Sequence, residues 1–400
     1  MPNEAGIIME TLRIMTEAEY DGELDFFVVY NTRCEADANA STPVELEIER
    51  ELAKLERMNG RRIVCTRVAT SMSKADNLEY AVSNYAKEGE ICVLFDADHH
   101  PRSNTIRGLV SVLMQMPDAV AVQGSVLIER GGPWWMRRFL DGMEWASWCF
   151  YAPGFAELVG SSYFGGGNAA WRVETLREMG FDRSMLTEDI DISVRTLAAG
   201  YTMVLAPFLQ VGEMCPTGLG ALYRQRLRWA MGWEQVTLNR TSTLFSSQRI
   251  SEPRKFRTMM LLLFRYVTFT MSGIAIFNVL KQLFFDFYVP PPVDYASWIC
   301  TLATALIILT LNGILARQKE PWQRWVSVNV FAACSIVYIA FQATLVCIAI
   351  FRLLCCAGGK LEWVPTARAP AKASATASAA MDGGGEGAAK AKQASEHSHK

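Results

Sequence analysis

Ile91-Cys92-Val93-Leu94-Phe95-Asp96-Ala97-Asp98 is a short apolar run that ends on two carboxylates one residue apart. A run of this length bounded by a polar turn reads as a buried strand. The end of a strand is rigid, so Asp96 and Asp98 are held near one locus. Hard divalent cations favour carboxylate and phosphate oxygens, and a metal-bound diphosphate suits such a pair. An Asp-x-Asp strand end also occurs in phosphatases and response regulators, so the pair needs company before it names a reaction. His99 and His100 follow directly and read as supporting residues more than as ligands.

Outward from this strand, residues 24–31 and 62–67 read as further strands, and so does 119–128. Residues 44–58, 74–87 and 105–116 read as helices between them. Strands alternating with helices predict an α/β domain with a largely parallel sheet. Ligands of such sheets sit outside the carboxyl ends of the strands, which is where Asp96 and Asp98 fall.

The composition divides the chain again. The 400 residues carry a net charge of −2, which gives no general attraction to nucleic acid. Charges are dense to about residue 257 and then nearly vanish over three apolar stretches, 259–285, 298–315 and 325–354. Each is long enough to cross a hydrocarbon core of ~30 Å. The connection 286–296 has no Lys or Arg, whereas 316–324 carries Arg317, Lys319 and Arg324. The bias of basic residues toward the cytosol places the second connection there, together with the domain that ends at Arg254, Lys255 and Arg257. The expected organisation is a cytosolic domain over 1–257, a multi-pass membrane region over 258–354, and a juxtamembrane segment with a disordered tail over 355–400. Arg265 and Lys281 fall inside the first apolar stretch, where they snorkel or line a polar path. Residues 133–159 hold Trp134, Trp135, Trp145 and Trp148 among few charges, and read either as a core helix or as a segment at the membrane interface. The ten cysteines include no CxxC pair, so neither a zinc site nor a disulfide framework is indicated.

Two further clusters bear on chemistry. Thr187-Glu188-Asp189 precedes an apolar helix from Ile190, with Thr187 as its N-cap and the acids in its first turn. Asp189 so placed suits a general base for an attacking hydroxyl. In Gln225-Arg226-Leu227-Arg228-Trp229, Arg228 suits a departing diphosphate and Trp229 offers a flat apolar face to a sugar ring.

In this order and ahead of membrane segments, Asp96-x-Asp98, Thr187-Glu188-Asp189 and Gln225-x-x-Arg228-Trp229 resemble the cellulose synthase-like branch of glycosyltransferase family two. The resemblance extends over roughly residues 1–365. Pro2-Asn3-Glu4 resembles the family's opening motif, Lys74-Ala75-Asp76-Asn77-Leu78 its lysine segment, and Phe164-Gly165-Gly166-Gly167-Asn168 its glycine-rich acceptor loop. Trp363-Val364-Pro365-Thr366 resembles the gating loop of processive members, although three crossings would put it on the far side of the membrane. The resemblance implies a GT-A nucleotide-sugar fold with one divalent ion, Mg²⁺ or Mn²⁺. It implies that Glu4, Asn31, Lys74 and Asp96 bind the donor, that Asp98 holds the metal, and that Asp189 is the base. Gly166, Asn168, Glu188, Gln225, Arg228 and Trp229 would hold the diphosphate and the acceptor. The chain departs from the pattern at Asn31, where the family has an aspartate, and lacks the strand expected before Pro2.

The implied activity is inverting transfer of a sugar from a UDP- or GDP-sugar to a growing β-linked polysaccharide at a Golgi or plasma membrane. The partners are the donor, the glycan and membrane lipids, with no nucleic acid. Transfer of a single sugar to a lipid such as ceramide is the second reading. A truncated, inactive scaffold is the third.

Overall fold

A computed structural model describes residues 6–31, 43–68, 71, 73–284 and 290–355. Glu4, the segment 363–366 and the tail lie outside the described residues. The chain runs α1 (Ile8–Thr16), β1 (Asp25–Tyr30), α2 (Pro43–Leu52), β2 (Arg57–Met58), β3 (Arg61–Arg67), α3 (Lys74–Asn84), β4 (Ile91–Leu94), β5 (His100–Pro101), α4 (Thr105–Gln115) and β6 (Ala119–Arg130). It continues with α5 (Trp134–Ala146), a π-helical turn (Ser147–Tyr151), α6 (Ala152–Val159), β7 (Ala169–Arg172), α7 (Val173–Met179), α8 (Glu188–Ala198) and β8 (Thr202–Met214). Four long helices close it: α9 (Leu219–Ser246), α10 (Glu252–Phe284), α11 (Pro291–Gln318) and α12 (Trp322–Cys355).

The expected α/β domain is present, but its sheet is mixed and not largely parallel. One sheet has the order β1-β3-β2 and the other β4-β7-β6-β8-β5. β1 with β3 and β6 with β8 pair in parallel. β7 enters between β4 and β6 and runs antiparallel to both. No periodicity announces β7. Its four residues come straight from the glycine loop and are fixed by the two strands they separate.

β6 is buried for ten consecutive residues, as expected of a strand covered on both faces. Leu109 and Leu113 of α4 pack with Ala119, Val122, Ala206 and Leu209. A second cluster joins Ala75 and Val82 of α3 to Trp171, Ile192 and Leu197. The β6–β8 ladder is interrupted between Gln123 and Ser125, which leaves an opening beside the site described below.

α10, α11 and the Val337–Cys355 part of α12 are long and apolar enough to cross a membrane. The first half of α12 is not free. It packs on α5, with Phe139, Met136 and Leu140 against Val330, Phe331 and Tyr338. A Cβ at Gly142 would lie 2.1 Å from the carbonyl oxygen of Ser327, so only glycine admits this approach. Asp141 forms a buried ion pair with Arg324, and Trp145 donates from Nε1 to Glu320 at 3.1 Å. Most of α5 is therefore core, while Trp134 and Trp135 at its start remain 60% and 52% exposed.

Burial pushes the Asp141 carboxyl up, and Arg324 pulls it back. Removing one partner of a buried pair costs about 3–5 kcal/mol, because the other charge is left uncompensated. Arg324→Ala is expected to lower the melting midpoint of the detergent-purified protein clearly. Adding Asp141→Ala should recover most of the loss, and equal midpoints for single and double variants would contradict this account.

Candidate active site

Lys74 is the first residue of α3. Ser73 caps that helix, its Oγ accepting from the Asp76 amide at 3.2 Å, and this fixes where the lysine begins. Its Nζ donates to the carbonyl oxygen of Gly166 at 2.6 Å, forms an ion pair with Asp96, and lies 3.4 Å from Glu188 Oε1. Four segments distant in sequence meet at this ammonium: α3, the end of β4, the glycine loop and the start of α8. Burial alone would lower its pKa, but Asp96, Glu188 and Asp189 outweigh burial and hold the ammonium charged.

Asp96 and Asp98 end up in different surroundings. Asp96 stays partly exposed on the Lys74 side, and a buried His99 places Nε2 3.7 Å from its Oδ2. Asp98 is nearly buried, accepting at Oδ2 from the Met214 amide at 3.4 Å, while Arg130 donates to its carbonyl oxygen at 2.6 Å. Among the described residues no group of three or more His, Cys, Asp or Glu side chains could hold a metal ion. That donor set does not form a closed protein cage. It fits an ion that takes one or two carboxylates here and its remaining oxygens from a diphosphate, the usual habit of Mg²⁺.

The glycine loop is clamped from several sides. Gln123 accepts at Oε1 from the Gly165 amide at 2.9 Å and donates from Nε2 to the Gly167 carbonyl at 2.9 Å. Gly166 has φ +92°, and a Cβ there would sit 3.1 Å from Asp189 Oδ2. Asn168, also in the left-handed region at φ 53°, turns its carboxamide away into the break in the β6–β8 ladder. There Nδ2 donates to the carbonyl oxygens of Ser125 and Leu209, both at 2.9 Å. Gly124 has no side chain to obstruct it. Asn168 is fully buried, so its carboxamide shapes the loop from behind and does not face a ligand.

Asp189 opens α8 with Glu188. Its Oδ1 accepts from the Ile190 amide at 2.9 Å, and Ser193 Oγ donates to its carbonyl oxygen at 2.7 Å. Burial raises its pKa to about 7, aided by the charge on Glu188, while Lys74, the Ile190 amide and Arg228 oppose the rise. Thr187 does not act as the expected side-chain cap. Its side chain packs beneath α9, where a Cβ at Gly232 would meet Thr187 Cγ2 at 2.4 Å.

α9 brings Arg228 to the same cleft. Gln225 is buried, and Arg228 donates from Nη1 to the Leu186 carbonyl at 3.4 Å in the segment leading to α8. Trp229 carries the Arg226 guanidinium 4.1 Å from its ring centroid. At the other margin Asn31 accepts from Asn77 Nδ2 at 3.2 Å and borders a small cavity with Ile8, Tyr30 and Ala97. The structure thus gathers Lys74, Asp96, Gly166, Glu188, Asp189 and Arg228 closely, with Asp98 and Asn31 at the edges and Asn168 behind.

Sequence reading passed over Gln123, Ser193, Arg226 and Glu144. Gln123 carried a signal, being an amide inside the apolar run Ala119-Val120-Ala121-Val122, where a buried polar group needs partners. Arg226 and Glu144 carried none, since their pairing joins two helices 82 residues apart.

The chain belongs to glycosyl transferase family group 2, whose sequence profile matches residues 91–316. It is 26% identical over 239 residues to glucomannan 4-beta-mannosyltransferase 7 of Arabidopsis thaliana, covering 57% of this chain and 41% of that protein. It is 26% identical over 316 residues to the probable glycosyltransferase YdaM of Bacillus subtilis, covering 77% of this chain and 70% of the relative. Against the plant relatives it therefore spans about two-fifths of their length. A mannosyltransferase from Pyrobaculum calidifontis, solved with GDP-mannose and Mn²⁺, superposes with a TM-score of 0.49 at 18% identity, covering 86% of this chain and 84% of that one.

The raised Asp189 has a thermodynamic consequence that needs no substrate. Between the ordinary carboxylate value of 3.8 and about 7 the folded chain binds more protons at this site than the unfolded chain. Folding stability from this group is therefore fully present at low pH and is lost as pH rises through about 7. Asp189→Asn is expected to raise the melting midpoint relative to the parent at pH 8 and to change it little at pH 4. The same shift at both pH values would contradict the assignment.

Proposed function

We propose that the chain is an inverting glycosyltransferase that moves a hexose from a nucleoside-diphosphate sugar onto a β-linked glycan at a membrane. The observation that carries this reading is the meeting of the raised Asp189 carboxyl with Gly166, Lys74 and the Asp96 strand end in one cleft. A general base operating near neutral pH needs such a raised value. The names of the plant relatives support a mannosyl donor and a β-1,4-linked acceptor, so GDP-mannose and β-1,4-mannotetraose are the first substrates to try.

In this reading the acceptor hydroxyl attacks the anomeric carbon and Asp189 takes its proton. The bond from that carbon to the diphosphate oxygen breaks with its electron pair on the oxygen. One displacement inverts the configuration and needs no covalent intermediate. Lys74 and Arg228 offset the negative charge of the leaving diphosphate. Trp229 offers an apolar face to the acceptor terminus. Asp98, with Asp96 beside it, would hold a divalent ion, which supplies further charge neutralisation on the diphosphate when bound.

Residues 1–257 then form the catalytic domain and 258–354 the membrane region. The Asp141–Arg324 and Trp145–Glu320 contacts support a common side for the α11–α12 turn and the catalytic domain. The basic residues of that turn support the cytosolic side.

Membranes carrying the chain should turn over GDP-mannose in preference to UDP-glucose and should form long products. A product carrying one sugar on lipid would point to the lipid-acceptor reading. No turnover across a donor panel would favour the inactive scaffold. Asp189→Asn should cost about 100-fold or more in turnover, within the range of a lost general base. The acidic limb of kcat/KM should centre near pH 7, because activity requires the deprotonated carboxylate. Asp98→Asn should abolish the response to added Mn²⁺ or Mg²⁺, and persistent metal stimulation in that variant would overturn its role.

A further inference from the structure

Arg226 lies inside the Gln225–Trp229 motif yet is 5% exposed, which is unusual for a cation placed beside a cleft. Its Nη2 donates to Glu144 Oε1 at 3.3 Å, and its Nε has no hydrogen-bond partner among the described residues. Its guanidinium lies over Trp229, 4.1 Å from the ring centroid. A buried guanidinium with an unsatisfied nitrogen is costly. An apolar side chain would fill the space at lower cost if filling were its only role. What it does here is press a planar cation against one face of an indole, an attraction that strengthens where water is excluded.

We infer that Glu144 of α5 is a positioning residue for the acceptor. It aligns the Arg226 guanidinium, which in turn fixes the Trp229 ring that the acceptor terminus stacks against. The inference rests on the reading of Trp229 as the acceptor platform and adds two residues to it. Arg226 covers one face of the indole, so in this reading the sugar takes the opposite face, and the ion pair behind the ring sets its tilt. Glu144 is itself anchored. Asp141 and Trp145 on the same helix hold the α11–α12 turn through Arg324 and Glu320, so the acceptor platform is tied through α5 to the membrane hairpin.

The test uses the full chain in detergent with GDP-mannose as donor and β-1,4-mannotetraose as acceptor, and compares Glu144→Gln, Glu144→Asp, Arg226→Lys and Trp229→Ala. Glu144→Gln keeps the shape and removes the charge. Arg226→Lys keeps the charge and removes the planar stack. Each is expected to raise the acceptor KM about tenfold, in line with the strength of the stack, and to move the donor KM less than twofold. Glu144→Asp should restore the acceptor KM in part. A merely structural role would shift kcat or the melting midpoint and leave the two KM values in proportion. If Trp229→Ala raises the acceptor KM but Glu144→Gln and Arg226→Lys leave it within twofold of the parent, the positioning role is overturned and the platform stands. If Trp229→Ala leaves it unchanged as well, both are overturned. Should Glu144→Gln be too unstable to assay, Arg226→Lys decides the question alone.

Discussion

The ammonium of Lys74 is the point on which the cleft depends. Asp96, Glu188 and Asp189 all act on it, and without a cation between them these carboxylates would repel one another in a poorly solvated space. A single lysine cannot neutralise three acids, and at Asp189 burial, aided by the charge on Glu188, prevails over Lys74 and raises the pKa to about 7. One cation thus holds three carboxylates together in the cleft.

The precision of the site comes from the sheet behind it. The break in the β6–β8 ladder at Gly124 admits the Asn168 carboxamide, and the loop from Phe164 to Asn168 is thereby pinned to the most buried part of the domain. Gln123 holds the same loop from its opposite edge. Gly166 is consequently presented to Asp189 and Lys74 by a rigid frame.

Much of this was legible in the sequence because it depended on local pattern. The apolar run ending at Asp96-Ala97-Asp98, the long apolar helices and the acids opening α8 each follow from periodicity, length or helix-end electrostatics. The mixed sheet was not legible, because β7 has only four residues and takes its direction from its neighbours. Thr187 looked like a cap by type, but packing against Gly232 claimed its side chain. Asn168 looked like a ligand by position in its motif, yet its left-handed backbone turns the carboxamide into the sheet. Each departure occurs where tertiary contact outweighs a local preference.

α5 shows why the long apolar helices cannot be treated as a separate unit. Gly142 allows it to approach the α12 backbone so closely that any side chain would force the two apart. Asp141 and Glu144, about one helical turn apart, then point to different partners, Arg324 in α12 and Arg226 in α9. A displacement of α12 relative to the sheet would have to break the first pair or drag the second with it. Both pairs are poorly exposed, so breaking either strands a charge away from water. α9 itself packs on α12, with Leu227 and Ala230 against Leu345 and Ala349, so the two helices are also held to one another directly. In this fold, the placement of α12 and that of the α9 indole are therefore linked both through α5 and by direct packing.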